Sequence, residues 1–262
     1  MAKLSLSRAW DETKGVLSRD GKLIGTVALA LFFLPGVIAG VINPDSENMP
    51  RTTSALVLLS IVALIGIIGQ LAVIRLALGT RSTVGEAIRH GLQRAPSYIV
   101  ASILWLCPFL ILGYFLAAEA LAHPATADPV SVLAALVIMI GLLFVSVRML
   151  MTSSVATAEA VGPLDILRRS WALTSGHWWR LFAFLLLFLI VAVVAMSATG
   201  AVVGLVGKLL FGPVEAMSVH ALFIALLVEL VTTLVTLGFL VMVARIYLQL
   251  AGREVSVPSS GT

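Results

Sequence analysis

Three arginines and one glutamate are the residues of this chain whose types and positions could do chemistry. Arg75, Arg148 and Arg245 each stand near the end of an apolar run, in the contexts Ala-Val-Ile-Arg, Val-Ser-Val-Arg and Met-Val-Ala-Arg. A guanidinium grips phosphate or carboxylate through paired hydrogen bonds, so three converging arginines would make a pocket for an anionic headgroup. An arginine near a membrane-helix end also serves as a topology anchor, its stem in hydrocarbon and its head among the headgroups. Both readings stay open. Glu229 lies inside the last apolar run, with Thr232, Thr233 and Thr236 one or two turns on. A carboxylate at that depth is expensive to insert and points to a proton or cation pathway. The plainer reading is a protonated glutamate bonded to a neighbouring helix, with Gln70 of the second run as a candidate partner.

The rest of the chain offers no catalytic machinery. His90, His123, His177 and His220 have no metal-ligand spacing, and Cys107 is the single cysteine. The sequence contains no phosphate-binding glycine loop, no nucleophile elbow and no zinc-hydrolase motif. A protein without enzymatic activity, metal or cofactor is expected.

The elements that must position these residues follow from composition. The 262 residues are 60% hydrophobic and 11% charged, with a mean hydropathy of +1.09. A soluble domain carries about 25% charge, so this chain cannot cover a water-facing surface and lipid must be its solvent. Apolar runs at about 23–41, 55–78, 98–121, 131–152, 181–205 and 221–248 each approach or exceed the ~20 residues that span a bilayer. The expected fold is an all-α integral membrane protein of six transmembrane helices, forming a single polytopic domain over 1–262. More than twenty residues precede the first run, which is longer than a cleaved signal peptide allows, so that run is read as a retained helix.

Charge sets the orientation. Six spans put both termini on one side, and 15 of the 17 basic residues fall there, with only Arg51 and Lys208 opposite. The positive-inside rule places that side in the cytoplasm. The net charge of +4 therefore belongs to topology and to anionic lipid of the inner leaflet, and not to nucleic acid.

An internal repeat organises the chain. The pattern W-x-x-T-x-G-x-x-x-R occurs at Trp10, Thr13, Gly15 and Arg19, and again at Trp171, Thr174, Gly176 and Arg180; Arg8 and Arg169 extend each copy upstream. Leu6, Trp10, Thr13 and Leu17 have helical spacing, as do Leu164, Leu167, Trp171 and Thr174. These segments, and a weaker one with Val84, Ile88 and Leu92, predict three cytoplasmic amphipathic helices lying at the membrane interface. Thr83 and Glu86 make a capping box. Pro163 and Asp165 suit a first helical turn. Gly15, Gly91 and Gly176 would then form elbows into the spans. The chain parses as three helix–span–span units at about 4–79, 83–152 and 162–250, with a disordered tail over 254–262. Gly200 and Gly204 have the small-xxx-small spacing of close helix packing. Trp178, Trp179 and Tyr98 stand at span starts, where an aromatic belt is expected.

The stretch from Glu159 to Arg180, with Arg169-Ser170-Trp171-Ala172-Leu173-Thr174-Ser175-Gly176 at its centre, resembles a bacterial multi-pass family. That family is named for the membrane region of some glycerophosphoryl diester phosphodiesterases and includes the YciC-like inner-membrane proteins. Ser154 and Ala160 depart from its pattern. The resemblance implies a six-helix protein of the bacterial inner membrane, without the separate catalytic phosphodiesterase domain. The functional expectation is a non-enzymatic protein that engages anionic lipid, or a membrane-protein partner, through its basic cytoplasmic face. The alternative is a transporter of a small molecule, lipid or ion built on the repeat and Glu229.

Overall fold

The structure, a computed structural model, describes residues 4–42, 53–80, 82–122, 129–211 and 217–252, apart from the side chains at 54, 55, 117–122 and 211. Lys3, Arg51, Arg81, His123 and Arg253, the segments 43–52, 123–128 and 212–216 between apolar runs, and the 254–262 tail lie outside the described residues. The described residues form helices and no strand. Six of these helical stretches are long and apolar enough to cross a membrane.

The first span is α1 (Leu6–Ala28), a π-helical turn (Leu29–Phe33) and α2 (Leu34–Ile42). It is followed by α3 (Thr53–Ala77), α4 (Val84–Ala122) and α5 (Pro129–Arg148). Then come two short helices, α6 (Thr152–Ala158) and α7 (Pro163–Thr174), and two long ones, α8 (Trp178–Phe211) and α9 (Val219–Leu250).

Local chemistry sets several of these ends. Ser5 caps α1 by accepting the Arg8 N–H, and Ser218 caps α9 by accepting the Ala221 N–H at 3.0 Å. The capping box forms as expected. Thr83 N–H donates to Glu86 Oε2 at 2.9 Å and Glu86 N–H donates to Thr83 Oγ1 at 3.3 Å. Two otherwise orphaned donors of the α4 start are thereby satisfied. Pro163 and Asp165 occupy the first turn of α7.

Two predicted elbows are absent. Gly15 lies inside continuous α1 and Gly91 inside continuous α4, so the first and second segments predicted to lie at the interface are continuous with the long apolar helices that follow. The helical hydrogen-bond ladder passes through both glycines unbroken. Gly91 serves close packing instead: a Cβ at that position would stand 2.6 Å from the Ile68 carbonyl oxygen of α3. Only the third elbow forms. Gly176 has φ +81, a left-handed conformation that glycine adopts without steric cost, and it turns α7 into α8.

Two further expectations change. Helix α5 stops at Arg148, inside an apolar stretch that continues to Ala158, and a turn leads to α6, whose residues Thr152 to Thr157 are all buried. A Cβ added at Gly200 or Gly204 would meet nothing within 4 Å, so these glycines do not mediate packing among the described residues. The close helix contact lies elsewhere, where Gly36 and Gly40 of α2 face Glu229 and Ala225 of α9.

Burial is concentrated at the end of the bundle where the basic residues gather. Leu71, Val73, Ile74 and Leu76 of α3, Leu240, Val243, Ile246 and Tyr247 of α9, Val147, Met151, Val155, Ile166 and Leu181 form one cluster with Ala9, Val16 and Ile24 of α1. α6 plugs this end, packing on α3, α4, α7 and α9. Most of α5, by contrast, exposes its apolar side chains, as a lipid-solvated helix does. Helix association in lipid relies on close packing and polar contacts, and both are found at the basic end.

Candidate functional site

The turn between α3 and α4 frames a cavity of about 290 Å³ lined by Arg75, Ser82, Glu86, Arg89, His90 and Gln93. Arg75 lies in the last turn of α3, and its carbonyl accepts the Thr80 hydroxyl at 2.8 Å, which folds the turn back. Glu86 is engaged by the capping box, so its acceptor oxygen is partly committed. The remaining lining is rich in donors: two guanidinium groups, an imidazole, an amide and a hydroxyl. His90 also bonds the Thr157 carbonyl through Nε2 at 2.9 Å, which connects the cavity wall to buried α6.

Beside the cavity, Glu159 gathers three helices. Its Oε1 accepts from the Tyr247 phenol at 2.8 Å and from Arg169 Nε at 3.2 Å. Its carbonyl accepts from Arg94. α4, α7 and α9 are thus tied to the residue that follows α6.

The three arginines predicted to converge occupy separate surroundings. Arg148 ends α5, with its guanidinium carbon 5.4 Å from the Phe144 ring centroid and 5.0 Å from that of Trp171. Its Nη1 donates to Ser175 Oγ at 3.1 Å. Such cation–π placement contributes about 0.5–1 kcal/mol at an exposed site. Arg245 is 6% exposed within α9, and the charges acting on it are Glu12, Arg19 and Asp20 of α1. Arg75 faces the cavity. Among the described residues no partner is shared by any two of the three. The physical reason is the packing of α5, which lies against α4, α7 and α8, whereas α3 and α9 pack on each other.

The motif residues have local roles. Trp10 and Trp171 are 51% and 41% exposed, while Thr13 and Thr174 are buried. Trp therefore points away from the bundle, and the packed face is Ala9, Thr13 and Val16 in α1 and Ile166, Ser170 and Thr174 in α7. Helical spacing alone grouped Trp with Thr; the 100° step between neighbouring positions leaves either on the edge of a face, and the larger side chain turned outward. Thr13 Oγ1 donates to the Ala9 carbonyl at 2.8 Å, and Thr174 Oγ1 donates to the Ser170 carbonyl at 2.9 Å. Ser170 and Thr174 also donate to the Arg148 carbonyl, at 2.8 and 3.2 Å. That carbonyl ends α5 and would otherwise be an orphan acceptor. Arg8 pairs with Glu12 and Arg19 with Asp20, each at 2.8 Å. Arg180 Nη1 donates to the Leu4 carbonyl at 3.2 Å, which ties α8 to the chain before α1.

Glu229 is half-buried in α9, its carboxyl group packed on Gly36. Gln70 does not reach it; Gln70 Nε2 bonds the Tyr98 hydroxyl at 3.4 Å instead. Trp178 stacks on Phe182 and Phe144, with centroids 5.1 and 5.6 Å apart, and Trp179 is exposed. Sequence reasoning missed α6, Gln93, Tyr247 and the Gly36–Gly40 contact. The run Thr152-Ser153-Ser154 was the available signal, because three hydroxyl residues interrupt an apolar stretch.

No curated protein and no solved structure matches the chain. A family described as a domain of unknown function, DUF7847, matches residues 4–250, and the chain belongs to it.

Proposed function

We propose that this protein is a non-enzymatic, multi-pass protein of the bacterial inner membrane that holds the phosphate of an anionic lipid headgroup at its basic, cytoplasmic face. The observation that carries the reading is the cavity lined by Arg75, Ser82, Glu86, Arg89, His90 and Gln93. Two guanidinium groups against one partly committed carboxylate leave it basic. Its volume of about 290 Å³ suits a headgroup, while the acyl chains would stay in the bilayer. The negative surface potential of the inner leaflet favours such a site. The exposed tryptophans and the Arg148–Trp171 pair support it as interfacial anchors. Both termini are assigned to the cytoplasm on the distribution of basic residues.

The reading includes a duplicated unit. The support is the matched back-bonding of Thr13 and Thr174 and the matched exposure of Trp10 and Trp171. In this account α7 lies along the interface, and the first copy differs because Gly15 stays helical. Kinship with the phosphodiesterase membrane family, read from residues 159–180, is part of the same proposal.

The test is native mass spectrometry of lipids that co-purify with the protein. Retention of anionic lipid over zwitterionic lipid is expected, with loss in Arg75→Gln and Arg89→Gln. A purified protein that holds no lipid, or holds both classes equally, would sink the reading.

A further inference from the structure

Glu229 is the only acidic residue of α9, and it meets a helix face that has no room for a side chain. A Cβ built on Gly36 would overlap the Glu229 carboxyl group, and one on Gly40 would stand 3.1 Å from Ala225 Cβ. Gly36 and Gly40 are thus one turn apart on α2, and Ala225 and Glu229 one turn apart on α9. The two helices close on each other through a carboxyl group pressed against bare backbone. Gly36 lies roughly 9 Å from the Ile42 end of α2 at 1.5 Å per residue, which places the contact within the apolar span, on the side opposite the basic residues.

Among the described residues no cation faces this carboxyl group. α2 and the π-helical turn carry no charged residue, and α8 carries only Arg180 and Lys208, near its two ends. Arg75 of α3 and Arg245 of α9 lie toward the basic end, the charges of α1 stop at Lys22, and α6 has none. His220, packed on Gly207, stands toward the other end. An ionised carboxylate in apolar surroundings without a counter-charge is costly, so the fit of this contact depends on whether the carboxyl group carries a proton. The helix opposite is built to give way. In the turn before Gly36, Leu34 N–H reaches the Leu29 carbonyl, a π-type bond, and Pro35 has no N–H to donate. Such openings mark places where a helix bends or repacks.

We propose that Glu229 is an exchangeable proton-binding site: the carboxylic acid form seats α2 on α9, and the ionised form loosens that contact. The ligand is a proton taken from the side opposite the basic face. The inference is independent of the lipid reading, which concerns the other end of the bundle.

Two measurements test it. In a Cys107→Ser background, the pair Gly40→Cys and Ala225→Cys reports the α2–α9 contact through disulfide formation in membrane vesicles. Over about pH 5 to about pH 9, a range that covers buried glutamates, cross-linking should fall several-fold relative to the same pair carrying Glu229→Gln. The second chain controls for the pH dependence of the thiols themselves. Parallel profiles in the two chains would overturn the proposal. In the chain with its own residues 40 and 225, dicyclohexylcarbodiimide, which attacks protonated carboxyls in apolar sites, should label Glu229 at acid pH and progressively less as pH rises. No adduct at any pH, or an equal adduct at every pH, overturns it. Protection by sodium or potassium ions at constant pH would assign the site to a metal cation and overturn it as well.

Discussion

The phenol of Tyr247 donates a 2.8 Å hydrogen bond to Glu159 Oε1, joining the end of the last span to the segment between two short helices. Arg169 reaches the same oxygen at 3.2 Å, and Arg94 binds the Glu159 carbonyl. Three helices distant in sequence therefore meet at one residue. Charge-assisted bonds of this kind are about twice as strong as neutral ones. Glu159 thus ties α4, α7 and α9 together at the basic end.

Tyr247→Phe keeps the ring and deletes that bond. The expected loss is about 1.5–3 kcal/mol, read as a clear fall in the midpoint of thermal unfolding in detergent. Glu159→Gln should cost at least as much, because it also weakens the Arg169 contact. Unchanged midpoints for both would show that the cluster does not hold the helices together.

Two glycines of similar sequence context should respond oppositely. At Gly91 an added Cβ meets the Ile68 carbonyl oxygen at 2.6 Å, whereas at Gly15 it meets nothing within 4 Å. Gly91→Ala should destabilise the protein by about 1–3 kcal/mol through forced separation of α3 and α4. Gly15→Ala should be stabilising by about 0.5–1 kcal/mol, since alanine is the better helix former. A destabilising Gly15→Ala would argue for the elbow that α1 does not show.

This contrast shows what was legible in the sequence. The six spans were legible because apolar length over a bilayer is a one-dimensional signal, and the capping box because its partners are three residues apart. Gly176 read correctly as an elbow since a polar turn surrounds it. Gly91 and Gly15 did not, because a glycine needed for close approach and one free in a helix look the same until the neighbouring helix is in place. The meeting of Arg75, Arg148 and Arg245 was inferred from their matching contexts. Whether α5 packs with α3 and α9 is a tertiary fact that no local pattern carries. The buried α6 was hidden because two of its hydroxyl residues, Thr152 and Thr157, bond the Met149 and Ser153 carbonyls and so can be buried at little cost.

Topology has its own check. Reporter fusions at Ser46, Ala127 and Pro213, all outside the described residues, should report the side opposite the cytoplasm. A fusion after Gly252 should report the cytoplasm. A cytoplasmic signal from any of the first three would reverse the assignment of the basic face.

The most direct measurement of the central claim is a titration of phosphatidylglycerol into delipidated protein, comparing the unsubstituted chain with Arg75→Gln, Arg89→Gln, the double variant and Arg148→Gln. The account predicts that each single change at 75 or 89 weakens binding by roughly tenfold, as loss of a charge-assisted contact does. The double variant should lose less than the product of the two, since both residues serve one site. Arg148→Gln, remote from the cavity lining, should bind as the unsubstituted chain does. Equal affinities in all five chains, or a loss confined to Arg148→Gln, would contradict the assignment of the headgroup to the α3–α4 cavity.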